Sequence, residues 1–145
     1  MLLFVLSGCA LLFGNDRVDT GACTEIGCAD GISLDFRLTE PGDYTVTAVA
    51  GGETVACTAS LPFDGTESCT GPGYVVISGT ELPPADQMLD GMWLETVEAT
   101  DVHLTIVRSG ETVIDEVLAV EYAILEPNGP ECGPTCEFAQ VDVSL

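Results

Sequence analysis

Lysine is absent from this chain, arginine occurs only at Arg17, Arg37 and Arg108, and histidine only at His103. Against 24 acidic residues the formal charge is -21. Nucleic acid is therefore not an expected partner, because no basic patch exists to displace counterions from phosphates. No Cys-x-x-Cys pair is present to supply a low-pKa thiol for redox exchange. No serine lies in Gly-x-Ser-x-Gly, so His103 lacks the nucleophile of a hydrolase triad. A phosphate loop is also missing: Thr70-Gly71-Pro72-Gly73 contains proline and no lysine follows it. The apolar run at the start breaks at Asn15-Asp16-Arg17, short of the ~20 residues of a membrane span. These absences argue against an enzyme, and no catalytic residue or cofactor is assigned.

The acids are dispersed instead of forming runs, as on a solvated surface kept soluble by self-repulsion. The nearest approach to a calcium loop, Phe63-Asp64-Gly65-Thr66-Glu67-Ser68, lacks the alternating ligands and distal Glu of an EF-hand, so no metal is expected. With 145 residues the chain suffices for one domain with a real core.

Leu6-Ser7-Gly8-Cys9 resembles the cleavage and lipidation box of a bacterial lipoprotein signal. That resemblance implies removal of residues 1–8, acylation of the Cys9 thiol, and a lipidated tether over 9–22. Upstream the segment departs from the family pattern, since no Lys or Arg precedes the apolar run. Acyl burial is worth about 0.8 kcal/mol per CH2, so two or three chains hold a small domain on a membrane. Ala10, in place of Asp after the cysteine, implies the outer membrane of a Gram-negative envelope.

Beyond the tether, residues 23–145 read as strands punctuated by turns. Ile32, Leu34, Phe36 and Leu38 alternate with Ser33, Asp35, Arg37 and Thr39, a period of two that puts one face in a core. Pro41-Gly42-Asp43 turns the chain into Tyr44–Ala50, and Gly51-Gly52 predicts a hairpin to the strand carrying Val55, Cys57, Ala59 and Leu61. Tyr74–Ser78 is apolar enough to predict a strand buried on both faces. One helical turn is expected within Pro83–Leu89, a weaker strand within Met92–Val97, and another carrying Val102, Leu104 and Ile106. After Ser109-Gly110, Thr112–Leu125 is long enough to bend or switch sheets, and Phe138–Val143 closes the domain. The expected fold is an all-β antiparallel β-sandwich of seven to eight strands.

Setting Cys9 aside, six of the seven cysteines remain, an even number that suits an oxidising compartment. Cys57 and Cys69 flank one connection and would staple it. Cys23 and Cys28 precede the first core strand, Cys132 and Cys136 the last. Two bridges between those clusters are expected in preference to two small local loops, because the first and last strands of a Greek-key sandwich can lie side by side; linking segments that far apart removes on the order of 4 kcal/mol of unfolded-state entropy. Zinc at Cys-x4-Cys and Cys-x3-Cys is the weaker alternative, because neither is a zinc-ribbon knuckle.

His103 alternates away from Val102, Leu104 and Ile106 and should face solvent. Tyr44, Tyr74, Tyr122 and Trp93 could build a sugar- or peptide-binding surface, although core packing is their commoner use. Trp93 is the candidate ligand-binding residue.

The Leu-Ser-Gly-Cys start, Cys23-x4-Cys28, and Asn128-Gly129-Pro130-Glu131-Cys132-Gly133-Pro134-Thr135-Cys136 are together similar to small cysteine-containing lipoproteins of Gram-negative bacteria. Gly42-Asp43-Tyr44-Thr45-Val46 resembles the Gly-x-Tyr-x-Val strand of immunoglobulin-like and transthyretin-like sandwiches. These resemblances imply a disulfide-stapled, immunoglobulin-like envelope domain and bring no activity with them. The expected function is that of a lipid-anchored cell-envelope protein, non-catalytic, either structural or binding an envelope protein or glycan. A secreted or periplasmic hydrolase, or an enzyme inhibitor, is the alternative.

Overall fold

The computed structural model describes residue 23 and residues 25–144; the lipidation motif at Cys9 and the tether lie outside the described residues. Ten strands follow in chain order: β1 (Gly31–Leu38), β2 (Gly42–Ala50), β3 (Glu53–Leu61), β4 (Glu67–Thr70), β5 (Gly73–Ser78), β6 (Met88–Leu94), β7 (Asp101–Arg108), β8 (Glu111–Ala119), β9 (Ala123–Leu125) and β10 (Cys136–Asp142). A 3-10 turn at Pro84–Asp86 is the helical turn expected there. Among the described residues no helix is long and apolar enough to cross a membrane.

The strands form two five-stranded sheets, β5-β6-β1-β10-β9 (sheet I) and β4-β3-β2-β7-β8 (sheet II). Alternation explains how they meet. Ile32, Leu34 and Phe36 of β1 and Val102, Leu104 and Ile106 of β7 are all at most 1% exposed, and they share one core with Val46, Val55, Leu89 and Met92. A side-chain period of two on each inner face thus generates a single apolar layer between the sheets. The β2–β3 hairpin turns on Gly51 and Gly52, with φ of 58° and 82°. Both lie in the left-handed region that a two-residue type I′ turn requires.

Several expectations are corrected. Ten strands are present among the described residues where seven to eight were predicted: β4 forms at the end of a segment read as loop, and the 112–125 segment, which switches sheets as expected, does so as two strands. β8 pairs with β7 in sheet II, and the chain then crosses to sheet I, where β9 pairs with β10. Nor is the arrangement wholly antiparallel: β1 and β10 run parallel, Gly31 opposite Phe138 through Asp35 opposite Asp142. Their starts lie side by side because Cys28 and Cys136, just before and at those starts, are bridged. β5, expected to be buried on both faces, is an edge strand with Tyr74 48% and Val76 40% exposed. Its inward Val75 is covered by the other sheet, and nothing in the described structure covers its outer face.

The described residues form three disulfides: Cys23–Cys132, Cys28–Cys136 and Cys57–Cys69. The first two join the terminal clusters, and the third lies directly across the β3–β4 register. That pairing also accounts for β4, which has no inward aliphatic residue: Cys69 is its only partly buried side chain, packed against the core. Replacing Cys57 and Cys69 together by alanine is expected to lower stability by about 3 kcal/mol. Urea unfolding checks this; an unchanged midpoint would show that the bridge contributes nothing.

Candidate functional site

The outer face of sheet I carries the candidate site. In β6, Leu89, Met92 and Leu94 are buried and Trp93 points the other way. The strand expected within Met92–Val97 is thus shifted: it runs over Met88–Leu94, and Trp93 lies within it. It pairs with Tyr74 of β5 on one side and Ser33 of β1 on the other. Its ring stacks on Phe138 of β10, with centroids 5.8 Å apart and planes inclined by 19°. Such an offset contact between rings contributes about 0.5–1.5 kcal/mol beyond area burial.

Gly31 makes the stack possible. A Cβ there would lie 2.5 Å from Cζ2 of Trp93 and 2.5 Å from the Leu94 carbonyl oxygen. The indole lies over this bare stretch of β1 and so reaches β10. Gly31→Ala is expected to destabilise the domain by roughly 1–3 kcal/mol through overpacking and to shift the emission of Trp93, the chain's single tryptophan. Unaltered emission and unfolding midpoint would mean that the indole does not depend on Gly31.

A polar row runs beside the rings. The Ser33 hydroxyl donates to Oδ1 of Asp35 at 3.0 Å, and Nε2 of Gln140 donates to Oδ2 at 2.7 Å. Asp35 is thereby fixed in orientation from its own strand and from the neighbouring β10. Next to it, a shallow depression of about 330 Å³ is lined by Ser33, Asp35, Arg37, Val76, Asp90 and Gly91. Two register irregularities create it. The β1–β6 register shifts between Asp35 and Leu38, and the β5–β6 register between Val76 and Ile77. Such bulges re-aim side chains, and Arg37 at this one has φ of 48°, in the left-handed region. Gly91 keeps the floor open, since a Cβ on it would collide with the Leu34 carbonyl oxygen.

The face therefore combines ring surface, an oriented carboxylate, an amide, a hydroxyl and one of the chain's three cations. Recognition sites of this kind use apolar and aromatic surface for contact and a few placed polar groups for orientation. A polyanion would meet the field of a chain with formal charge -21.

The other candidates are used differently. Tyr44 is 1% exposed and its hydroxyl donates to the Glu40 carbonyl oxygen at 2.5 Å. Burial raises its pKa, with Arg108 acting in the opposite direction. Burial also raises the pKa of Tyr122, which packs against the core. His103 is exposed on sheet II, its Nε2 2.6 Å from Oδ1 of Asp115, with both side chains about half or more exposed. No serine is hydrogen-bonded to it among the described residues. Asp64, in the segment compared with a calcium loop, accepts from the hydroxyl and the backbone N–H of Thr66, and these bonds lower its pKa. Its carboxylate closes a local turn. A second depression, of about 310 Å³, opens on sheet II among Thr45, Thr58, Ser60, Glu67 and Ser68. It offers hydroxyls and carboxylates but no exposed ring.

No protein-family model, curated protein or solved structure matches this chain. The reading of the site accordingly rests on its own chemistry. Sequence reasoning singled out Trp93 and Tyr74 but missed Phe138, Ser33, Asp35, Arg37, Asp90 and Gln140 as their neighbours. Alternation of Ser33, Asp35 and Arg37 along β1 was a usable signal that they share one face. That β10 lies beside β1 had a signal in the two cysteine clusters, whereas the place of β6 on the other side of β1 had none.

Proposed function

We propose that this protein is a lipid-anchored envelope module that binds a glycan on the outer face of sheet I. The stacked Trp93–Phe138 pair beside the oriented Asp35 carries the reading. Ring faces pack against the C–H faces of a sugar, while Asp35, Gln140, Ser33 and Arg37 offer acceptors and donors to its hydroxyls. The finer fold reading, an immunoglobulin-like sandwich, draws support from the Tyr44 hydroxyl bonded back to Glu40 at the start of β2, the geometry of a tyrosine corner. Further support comes from β1 and β10, the first and last strands, lying side by side.

The anchor and an outer-membrane address rest on Leu6-Ser7-Gly8-Cys9 and Ala10. The exposed His103–Asp115 pair is the feature on which the hydrolase alternative would draw, and no serine among the described residues is hydrogen-bonded to it.

Co-sedimentation of the soluble domain, from Thr20 onward, with insoluble neutral polysaccharides tests the binding reading. Retention that is lost on competition with soluble oligosaccharide is expected; no retention on any polymer would overturn it. Mass spectrometry of the mature amino terminus tests the anchor, and an unmodified Cys9 would remove it.

A further inference from the structure

The two ends of the domain are tied together twice. Cys23 is bridged to Cys132 and Cys28 to Cys136, across sequence separations of 109 and 108. Between the bridges Asn128 adds three hydrogen bonds. Its Nδ2 donates to the carbonyl oxygens of Ile26 and Gly133 at 2.8 Å, and its Oδ1 accepts from the Ile26 N–H at 3.0 Å. Just beyond the clamp, Oδ1 of Asp30 accepts from the Glu137 N–H at 2.8 Å. There β1 and β10 begin as a parallel pair, both inside sheet I with a hydrogen-bonded strand on either side.

We propose that this double clamp is a tension bypass. A pull transmitted along the chain that precedes Cys23 enters β1 and β10 together at their shared starting end. The covalent route runs through the bridges and leaves β2 to β9 outside the path of the force. One bridge would suffice to shorten the route. The second holds Cys28 and Cys136 together, so tension divides over two parallel strands and strains the hydrogen bonds of their ladders together instead of peeling them singly. The candidate ligand face is at the same end: Gly31 follows Cys28 closely and Phe138 follows Cys136. A load entering at the tether and leaving through a ligand on Trp93 and Phe138 would cross very little chain able to unravel. The use of such a path depends on the tethered-module reading; the path itself depends only on the bridges.

Single-molecule stretching of the oxidised domain, with handles immediately before Cys23 and after Ser144, reads the length released. In the oxidised protein the total gain is expected to stay within about 20 Å, because the residues after Cys136 already run extended in β10 and only the short ring of residues 23–28 and 132–136 has slack to give. In the Cys28→Ser, Cys136→Ser variant the Cys23–Cys132 bridge still closes the same loop, so the gain is expected to stay within about 20 Å there too, reached at a lower force. After verified reduction of the wild-type protein the gain should rise to the order of 400 Å. A long release from wild-type protein whose bridges have been confirmed by mass spectrometry would overturn the proposal. A gain that stays short after reduction would do so too, by showing that the bridges are not what limits extension. The wild-type arms decide the matter even where the variant does not fold. Loss of glycan binding or of lipidation would leave these lengths unchanged, so failure of the proposed function is separable from failure of the bypass.

Discussion

Removing both bridges between the chain's two ends is expected to strip away most of the domain's stability, whereas removing either one leaves it firmly folded. The reason is that Cys23–Cys132 and Cys28–Cys136 close nearly the same loop, with separations of 109 and 108. Once one is in place, the other closes only the small ring made of residues 23–28 and 132–136. In the chain-entropy picture the large loop is worth roughly 5 kcal/mol and a ring of about ten residues roughly 3 kcal/mol. Either single removal therefore costs about 3 kcal/mol, and removal of both about 8 kcal/mol. That second figure is comparable to the whole stability of an ordinary domain, about 5–15 kcal/mol. Urea unfolding of Cys23→Ala with Cys132→Ala, Cys28→Ala with Cys136→Ala, and all four together completes the cycle. The joint loss should exceed the sum of the separate losses by about 2 kcal/mol. Strict additivity would mean that the nested-loop account of these bridges is wrong.

What could be read from the sequence follows from where one strand face is buried and the other wet. β1, β2, β3 and β7 each alternate cleanly, and each ends at a turn whose residues accept unusual backbone angles, such as Gly51-Gly52 or Ser109-Gly110. Where alternation failed, the cause is identifiable. β4 carries Glu67, Ser68, Cys69 and Thr70, too polar to announce a strand, and is recruited by pairing with β3. β5 is a continuous apolar run, which composition cannot assign to a centre or an edge; its place beside β6 alone decides that Tyr74 and Val76 are exposed.

β6 was hidden by its own irregularity. Leu89 and Met92 both face the core although they are an odd number of residues apart, because the register shift at Asp90 breaks the period of two. That same shift placed Trp93 on the outer face and opened the depression beside it. The candidate site was thus least legible at the residues that build it. The bridges between the clusters, by contrast, could be ranked beforehand, since the first and last strands of a sandwich can be neighbours, though which cysteine joins which could not.

Trp93→Ala is expected to weaken glycan binding by roughly 30- to 100-fold, equivalent to about 2–3 kcal/mol, the loss typical when a central aromatic anchor is truncated. The indole supplies ring surface, and its stacking also fixes Phe138. Phe138→Ala should therefore weaken binding too, because Trp93 loses the ring that holds it over Gly31. Tyr74→Ala should have a smaller effect: that ring is 48% exposed on an edge strand and stacks on no other ring among the described residues. Val117→Ala, 68% exposed on sheet II, supplies a control on the opposite face. Isothermal titration with the oligosaccharide that competes best reads all four, and the quenching of Trp93 emission offers a second readout in the variants that retain it. Trp93→Phe separates contact from collapse, because it keeps an aromatic face while removing the larger ring; it should recover part of the affinity if the outer face of sheet I makes the contact. Equal affinity in the Trp93→Ala variant and the wild type, with unfolding midpoints matched, would move the ligand to another surface. The hydroxyl-lined depression on sheet II would then be the next to test, with Thr45 and Thr58 paired across β2 and β3 in its lining.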